Sequence, residues 1–260
     1  MPFRQLGSLR IFEFETLSRP GLVHAIFTRR GGVSPSPWRS LNVGGTVGDD
    51  RQRVIENRQR AFAAVGREFG SLYDVWQVHS AEVILAERPR GDGPLVQADG
   101  LISATPQVTL FMRFADCVPI LLFDPRKQAV GLVHAGWLGT VRRAAASAVQ
   151  AMGRAFGSNP QDILAGLGPS VGPDHYPVGE DVLAQVRQAF GQEADRHLRG
   201  GDGRVCFDLW TANGAVLEQA GVGSIESAGV CTACHLEDWY SHRGEQGKTG
   251  RFGGLIALSE

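Results

Sequence analysis

The sequence contains almost no lysine, and this scarcity limits the chemistry that the chain can perform. Of its 26 basic residues only Lys127 and Lys248 are lysines, and the others are arginines. A catalytic Schiff base therefore has almost no candidate residue, and the lysine-containing phosphate loop G-x-x-x-x-G-K-[ST] does not occur. Hydrolysis of nucleoside triphosphates is accordingly not expected.

Long apolar runs and an excess of one charge are also missing. No stretch reaches the roughly 18 apolar residues of a membrane span, and residues 1–5 lack the apolar core of a signal peptide. The 26 basic residues face 27 acidic ones, so no overall field favours nucleic acid or an anionic membrane. We expect a cytoplasmic protein that binds neither nucleic acid nor a membrane, and no oligomeric state is predicted. In that compartment the cysteines should be thiols: Cys117, Cys206, Cys231 and Cys234.

The 260 residues, 43% of them hydrophobic, are enough to bury a sizeable core. Apolar segments predict strands at 9–14, 22–28, 75–79, 82–85, 108–112, 118–123, 129–134 and 163–164. Helical patterns lie at 49–65, 137–156, 178–190 and 209–220, and short strands and loops are expected after residue 220. Because strands cluster and helices fall between the clusters, we predict an α+β fold: one domain over residues 1–260 with a mixed sheet and flanking helices.

Three apolar segments end in residues that can bind a metal ion. His79 ends one predicted strand, Cys117 lies between two apolar runs, and His134 ends a third strand just before a helix. Loops at strand ends often carry functional groups. Two imidazoles and one thiolate form a suitable Zn²⁺ site with a fourth position left for water or substrate. The spacing is not a known local motif, so the prediction requires that the three segments be neighbours.

The same three residues allow an interpretation without a metal ion. Cys117 can act as a nucleophile with His134 or His79 as its base, as in cysteine hydrolases. Both interpretations use one triplet of residues and differ only in whether a metal ion is bound.

A second group of cysteines lies near the C-terminus. Cys231-Thr232-Ala233-Cys234-His235 fits the C-x-x-C-H pattern of haem attachment, but that modification needs export, and no export signal is visible. A lone cysteine pair is also only half of a structural zinc site. A structural role for Cys231 and Cys234 is therefore favoured.

Arginine supplies the candidates for anion binding. Arg29 and Arg30 precede a glycine pair, and Arg243 and Arg251 lie in the glycine-rich C-terminal segment. Guanidinium groups match phosphate oxygens well. The glycine-rich segment 166–172 misses the spacing of a dinucleotide-binding loop and carries a proline inside the turn. A dinucleotide site is therefore not expected.

Eight motifs occur in the order found in one known family. They are TRRGGVS (28–34), SLNVG (40–44), QVH (77–79), ADCVP (115–119), HAGW (134–137), GPSVGP (168–173), CTAC (231–234), and SHR with TGR (241–243 and 249–251). From about residue 22 to its C-terminus the chain resembles the YfiH-type proteins. That family was long labelled polyphenol oxidase or laccase-domain and is now regarded as purine nucleoside phosphorylase, with peptidoglycan-editing bacterial proteins as close relatives.

The resemblance implies a zinc ion on His79, Cys117 and His134, with copper as a substitute. It further implies phosphorolysis of adenosine, inosine, guanosine and methylthioadenosine, together with hydrolytic deamination of adenosine. Purine nucleosides and phosphate are thus the expected partners, and Asp116 is a candidate proton carrier. The implied fold is an α+β sandwich similar to that of cysteine-deamidase toxins.

The substrate pocket is also suggested by the resemblance. Its candidate lining residues are Arg29, Asn42, Gln77 and Arg243. Two positions depart from the family pattern: Leu138 stands where an arginine usually follows His-Ala-Gly-Trp, and His242 replaces a residue that is often aromatic. The missing guanidinium at position 138 predicts weaker binding of phosphate or substrate.

The older oxidase label can be weighed by counting imidazoles. A multicopper oxidase needs a His₂Cys copper and a trinuclear cluster supplied by many more histidines. The seven histidines of this chain cannot supply both sites. Copper bound in place of zinc would still give weak oxidation, so a copper-dependent polyphenol oxidase is kept only as an alternative on that ground. A metal-free cysteine hydrolase or amidase that edits peptidoglycan precursors is the other alternative.

Overall fold

The computed structural model describes residues 2–201 and 203–259, which form fourteen strands and five α-helices. The strands are β1 (Phe3–Leu6), β2 (Leu9–Phe12), β3 (Leu22–Phe27), β4 (Leu72–Tyr73), β5 (Val83–Leu85), β6 (Gly100–Ser103), β7 (Thr109–Phe114), β8 (Val118–Asp124), β9 (Ala129–Ala135), β10 (Leu164–Leu167), β11 (Leu198–Gly201), β12 (Arg204–Phe207), β13 (Ser224–Ser227) and β14 (Phe252–Leu258). The helices are α1 (Arg51–Ala64), α2 (Trp137–Val141), α3 (Ala144–Phe156), α4 (Glu180–Phe190) and α5 (Leu209–Gln219). No helix in the described ranges is both long and apolar enough to cross a membrane.

The strands form two six-stranded sheets and one hairpin. The first sheet has the order β1-β2-β3-β14-β7-β4, the second has the order β13-β10-β8-β9-β6-β5, and β11 pairs with β12. Most neighbours are antiparallel, whereas β4 and β7, β5 and β6, and β10 and β13 are parallel. Each large sheet is therefore mixed, as predicted.

The two sheets pack face to face, and helices cover their outer faces. Met112, Phe114 and Ile256 of the first sheet pack in one buried cluster with Leu121 and Leu132 of the second. Helix α1 covers the outer face of the first sheet, and α3 and α5 cover that of the second. Each fully buried large apolar side chain contributes about 1.5–3 kcal/mol, so this layered core dominates stability. The predicted α+β sandwich with flanking helices is confirmed.

The strand β14 runs through the middle of the first sheet, although only short strands and loops were predicted for this segment. All seven of its residues are buried, and it pairs with β3 and β7. Its two glycines hide the strand pattern. A Cβ on Gly253 would lie 2.6 Å from the Phe111 ring, and one on Gly254 would lie 2.9 Å from the Phe114 ring. Glycine is unfavourable in strands, but here it leaves room for two aromatic rings.

The helix predicted at 137–156 is divided into two. Arg143, the residue before α3, adopts a left-handed conformation with φ of 59°, which separates α2 from α3. Buried Thr140 secures the break, because its hydroxyl donates to Gly136 O and accepts from Asn213 Nδ2. The continuous helix was therefore a wrong prediction at this point.

The segment predicted as a strand at 75–79 also differs. It makes a single bridge, between Trp76 and Gln97, rather than a ladder. The backbone N–H groups of Val78 and Ser80 donate to the Asp99 carboxylate instead of to a neighbouring strand. The chain can therefore curve here, and this curvature determines where His79 lies.

One buried histidine of the core predicts a pH effect on stability. His24 of β3 is 5% exposed, and its Nε2 accepts a hydrogen bond from Phe14 N–H at 2.9 Å, so that nitrogen must be unprotonated. Burial lowers the pKa of His24 from 6.5 to about 4. Between these two values the unfolded chain binds more protons, so the free energy of unfolding falls as the pH drops. We expect the titration of His24 to lower the free energy of unfolding by about 3 kcal/mol, with the full decrease reached below pH 4.

Urea unfolding at several pH values between 7 and 4 measures this effect. In His24→Gln the free energy of unfolding should fall less steeply with decreasing pH than in the parent protein. In the control His235→Gln, which replaces an exposed ring, it should fall as steeply as in the parent protein. Equal slopes for the parent protein and His24→Gln would contradict the assignment.

Candidate functional site

Strand pairing brings Cys117 and His134 together. Strands β8 and β9 are antiparallel, with Val118 opposite Ala135, so the residue before β8 lies beside the end of β9. Strand β6 pairs with the other edge of β9 and so places Asp99 next to His134. The backbone N–H of His134 donates to the backbone oxygen of Asp99 at 2.8 Å. The neighbour relation that the metal-site prediction required is therefore present.

His79, Cys117 and His134 form one cluster. Cys117 Sγ lies 3.9 Å from His79 Nε2, and the centroids of the two imidazole rings are 5.0 Å apart. The three potential ligand atoms all lie within 4.8 Å of one another. Gly136 permits this close approach, since a Cβ there would lie 2.7 Å from Cys117 Sγ. The structure thus brings together the triplet predicted from the sequence.

Asp99 supports two members of the cluster. Its Oδ1 lies 2.8 Å from His134 Nδ1, which leaves the other ring nitrogen of His134 for the cluster. Its Oδ2 accepts from the backbone N–H groups of Val78 and Ser80 at 3.0 and 2.6 Å and so holds the segment that carries His79. Burial raises the pKa of Asp99, but the hydrogen bonds from His134 and the backbone outweigh it and lower the pKa to about 2. Such a carboxylate fixes a histidine ring and raises its basicity as a ligand.

The charges in the cluster favour a thiolate. Burial raises the pKa of Cys117, but His134 and His79 outweigh it and lower the pKa to about 6. Burial lowers the pKa of His134, but the Cys117 thiolate and the Asp99 carboxylate outweigh it and raise the pKa to about 9. Without a metal ion the pair is therefore a thiolate and an imidazolium near neutral pH. The thiolate is the form that binds metals and attacks electrophiles.

A cavity of about 780 Å³ opens onto the cluster. All three cluster residues line it, as do six other residues singled out from the sequence: Gln77, Asp116, Leu138, His242, Arg243 and Arg251. The other lining residues are Gly44, Gly45, Thr46, Arg58, Asp74, Trp76, Val78, Arg90, Leu95, Arg113, Ala115, Gly136, Trp137 and Tyr176. A volume of this size is typical of a small-molecule site.

Arginines dominate the charged wall of this cavity. They are Arg58, Arg90, Arg113, Arg243 and Arg251. Three of them surround the Asp74 carboxylate, with N–O distances of 2.8 Å from Arg90, 3.2 Å from Arg113 and 3.5 Å from Arg58. Burial and the neighbouring Arg113 lower the pKa of Arg58 to about 10, although Asp74 opposes them. Five guanidinium groups against two lining carboxylates give this wall a positive charge that suits an anion.

Asp116 is buried beside Cys117, and both of its carboxylate oxygens accept hydrogen bonds. Oδ1 accepts from Thr232 Oγ1 and Ser241 Oγ, each at 2.7 Å, and Oδ2 accepts from Arg243 N at 2.6 Å. The Arg243 guanidinium lies 5.0 Å from the centroid of the Tyr176 ring. Asp116 thus holds the loop that presents Arg243, and its role as a proton carrier stays a prediction.

The other two predicted substrate residues, Arg29 and Asn42, do not line this cavity. Arg29 Nη1 donates to the backbone oxygens of Leu236 and Trp239 and pairs with Glu245 at 3.0 Å. These bonds fix the C-terminal loops behind the cavity wall.

Asn42 is fully buried and supports the wall from behind. Its Oδ1 accepts from Arg251 N at 2.8 Å, and its Nδ2 donates to Asp49 at 2.8 Å. Gly44 completes the arrangement, because a Cβ there would lie 2.7 Å from Arg251 Cγ. Asn42 therefore positions Arg251, which does line the cavity.

Sequence reasoning missed Asp99 and the arginines around Asp74. One signal was available for Arg113, the only charged residue within the apolar run Thr109–Phe114. Gln77 accepts from Arg113 Nε at 3.0 Å and exchanges two further hydrogen bonds with its backbone. Gln77 thus holds Arg113 in the wall.

The chain contains a serine-hydrolase pattern, but the serine of that pattern is not placed to act as a nucleophile. Residues 168–172 fit G-x-S-x-G, but Ser170 is fully buried and its Oγ accepts from Trp210 Nε1 at 2.6 Å. The Ser170 hydroxyl therefore serves packing, whereas a nucleophile elbow exposes it.

Comparison with known proteins identifies relatives along nearly the whole chain. A family model described as "Multi-copper polyphenol oxidoreductase laccase" matches residues 23–259. A protein of Deinococcus radiodurans named purine nucleoside phosphorylase is 40% identical over 235 residues, which are 90% of this chain and 88% of that one. Purine nucleoside phosphorylase YlmD of Bacillus subtilis is 36% identical and spans 90% of this chain and 87% of its own length.

Solved structures agree with this result. The chain is similar to YlmD from Geobacillus stearothermophilus, with a TM-score of 0.92, 33% identity and coverage of 100% of this chain and 99% of that one. It is also similar to the hypothetical protein YfiH of Bacillus licheniformis, with a TM-score of 0.91, 33% identity and 99% of each chain covered. The chain therefore belongs to the laccase-domain family of YlmD- and YfiH-type proteins.

Proposed function

We propose that this protein is a zinc-dependent purine nucleoside phosphorylase acting on adenosine, inosine, guanosine and methylthioadenosine, with adenosine deaminase activity. One observation carries the proposal: the cluster of His79, Cys117 and His134 opens onto a cavity whose wall carries five arginines. The names of the relatives in Deinococcus radiodurans and Bacillus subtilis support the same reaction class.

The cluster fits a zinc ion by the chemistry of its donors. One thiolate and two imidazoles are ligands that zinc prefers, and three protein ligands leave a position open toward the cavity. The contact between Asp99 and His134 supplies the outer hydrogen bond that such ligands usually have. A bound zinc ion would supply Lewis-acid stabilisation of negative charge at the open position. Copper accepts the same kinds of donor and is the expected substitute.

The arginine wall supplies the phosphate site. Arg58, Arg90 and Arg113 are already held by Asp74, so their guanidinium groups are ordered before phosphate arrives. Preorganised donors of this kind bind an anion without the cost of reorganisation. In the reaction, a phosphate oxygen forms a bond to the anomeric carbon of the ribose. The bond from that carbon to the purine nitrogen breaks, and the purine leaves with the electron pair and takes up a proton.

The nucleoside is placed by the rest of the wall. Trp76, Trp137 and Tyr176 offer flat apolar surfaces on which a purine can stack, and Arg243 lies over the Tyr176 ring. Leu138 adds apolar surface where the family pattern has a guanidinium. Weaker binding of phosphate or substrate through the missing charge at position 138 stays a prediction.

Deamination of adenosine requires proton transfer near the same open position. Asp116 lines the cavity next to Cys117, and we assign it this transfer. Its three hydrogen bonds keep the carboxylate at a fixed place, which favours a proton transfer over one short distance.

The direct test incubates zinc-loaded protein with inosine, with and without inorganic phosphate. We expect hypoxanthine and ribose 1-phosphate in equal amounts, and only when phosphate is present. Release of hypoxanthine without phosphate would assign hydrolysis instead. No release under either condition, with zinc still bound, would contradict the proposal.

A metal-free cysteine hydrolase or amidase is the second candidate. It is favoured by the pKa of Cys117, lowered to about 6 by the two histidines, and by the Asp99 contact with His134. Nucleophile, base and orienting carboxylate then follow in the order of a catalytic triad. Full activity of metal-free protein toward an amide substrate would support this candidate over the first.

A further inference from the structure

The cysteine pair near the C-terminus meets a histidine from a distant loop. Cys234 Sγ lies 3.6 Å from His175 Nδ1, and Cys231 Sγ lies 3.9 Å from the same nitrogen. The potential ligand atoms of the three residues all lie within 4.8 Å of one another. Like the cavity cluster, this group contains three metal-binding side chains, but it has two thiols and one imidazole.

Two loops are locked together at this point. Ser170 and Cys231 form a parallel bridge, in which Ser170 N donates to Val230 O and Thr232 N donates to Ser170 O. Gly172 makes the close approach possible, because a Cβ there would lie 3.0 Å from Cys231 Sγ. The Gly172 N–H donates to Cys231 Sγ at 3.1 Å, which fixes the position of the sulfur. The backbone therefore holds Cys231 in a fixed place facing His175.

The spacing matches a tetrahedral thiophilic ion. With Zn–S of about 2.3 Å and Zn–N of about 2.0–2.1 Å, sulfur and nitrogen ligands lie roughly 3.6 Å apart. The two sulfur-to-nitrogen distances, 3.6 and 3.9 Å, fall close to this value. We propose that Cys231, Cys234 and His175 bind a second zinc ion. Asp174 Oδ1 lies 2.9 Å from the same nitrogen, His175 Nδ1, so this contact gives way when that nitrogen binds the ion.

The second ion has a structural role, and its loops reach the cavity. His175 immediately precedes Tyr176, which lines the cavity. Thr232, between the two cysteines, donates to Asp116 at 2.7 Å. Cys231 is buried while Cys234 and His175 lie at the surface, so the ion joins two loops at the edge of the fold. It therefore stabilises the wall that presents Asp116 and Tyr176, without touching the reacting atoms.

Zinc content per chain tests the proposal. Elemental analysis of Cys234→Ser and of His175→Gln should each show about one equivalent fewer than the parent protein. Cys117→Ser should also lose about one equivalent, but from the cavity cluster, and Cys206→Ser should lose none. The difference from the parent does not depend on how fully the cavity cluster is loaded. Unchanged zinc content in Cys234→Ser or in His175→Gln would overturn the proposal.

A second readout covers the case in which Cys234→Ser fails to fold. Cobalt-loaded Cys117→Ser retains the second site only, so its thiolate-to-cobalt charge-transfer absorption should persist, and His175→Gln introduced into it should weaken that absorption. Loss of the absorption in Cys117→Ser alone would contradict the second site. So would a Cys231–Cys234 disulfide found by mass spectrometry in protein alkylated at the moment of cell lysis.

Discussion

Replacement of Cys117 by serine is expected to lower the rate of inosine phosphorolysis by about 100-fold or more. The change removes the thiolate from the cluster, and a serine hydroxyl is a poor ligand for a thiophilic ion. The neighbouring histidines also lose the negative charge that raises the pKa of His134. The kinetic constants of zinc-loaded protein, measured with saturating phosphate, give the effect.

The control for this prediction is Cys206→Ser. Cys206 is a free, half-buried cysteine on β12 that does not line the cavity, so its replacement should leave the rate unchanged. In the metal-free state, the free energy of unfolding of Cys117→Ser should lie within about 1 kcal/mol of that of the parent protein. A folded Cys117→Ser protein with the parental rate would show that the cluster is not the reaction centre.

Replacement of Asp74 by asparagine is expected to lower the free energy of unfolding by about 3 kcal/mol. The Asp74 side chain is 1% exposed and lies against three guanidinium groups. Without its charge, these three groups repel one another in a partly buried wall. Urea unfolding of the metal-free protein measures the change.

A matched control is Asp162→Asn. Asp162 pairs with Arg126 at 3.1 Å, but the Arg126 side chain is 75% exposed. Exposed ion pairs contribute about 0–1 kcal/mol to stability, so the free energy of unfolding of this variant should be nearly that of the parent protein. If the two variants lost equal stability, the Asp74 carboxylate would not be the anchor of the arginine wall.

The cluster could be predicted because apolar runs reveal where strands end. Cys117 directly precedes β8 and His134 lies near the end of β9. Both strands are buried along their whole length, and such runs are visible without knowledge of the fold. Their partner Asp99 could not be found in this way, because it reaches His134 only through the pairing of β6 with β9. Sequence spacing carries no record of that pairing.

The rest of the site depends on contacts between distant segments. Asp74 meets Arg113 across 39 positions, and Cys231 meets His175 across 56. The tail strand β14 was missed because its glycines are required by aromatic rings from another strand. In each case the deciding partner lies far away in the chain, beyond the reach of local patterns.

The description of the family as multi-copper oxidoreductases can be compared with the metal-binding side chains that this chain brings together. The residues that the structure describes offer two groups of three metal-binding side chains, with three histidines between them. A trinuclear copper cluster with its electron-transfer copper needs many more imidazoles. The donor chemistry of this chain therefore supports single-ion sites.

The most direct test of zinc-dependent phosphorolysis is the removal and return of zinc during the reaction with inosine. The parent protein should lose its phosphate-dependent release of hypoxanthine when zinc is removed with a chelator and regain it when zinc is returned. His175→Gln, which keeps the cavity cluster, should respond in the same way, and Cys117→Ser should stay inactive throughout. A full rate in the metal-free protein would contradict the zinc dependence and assign the reaction to the Cys117 and His134 pair alone.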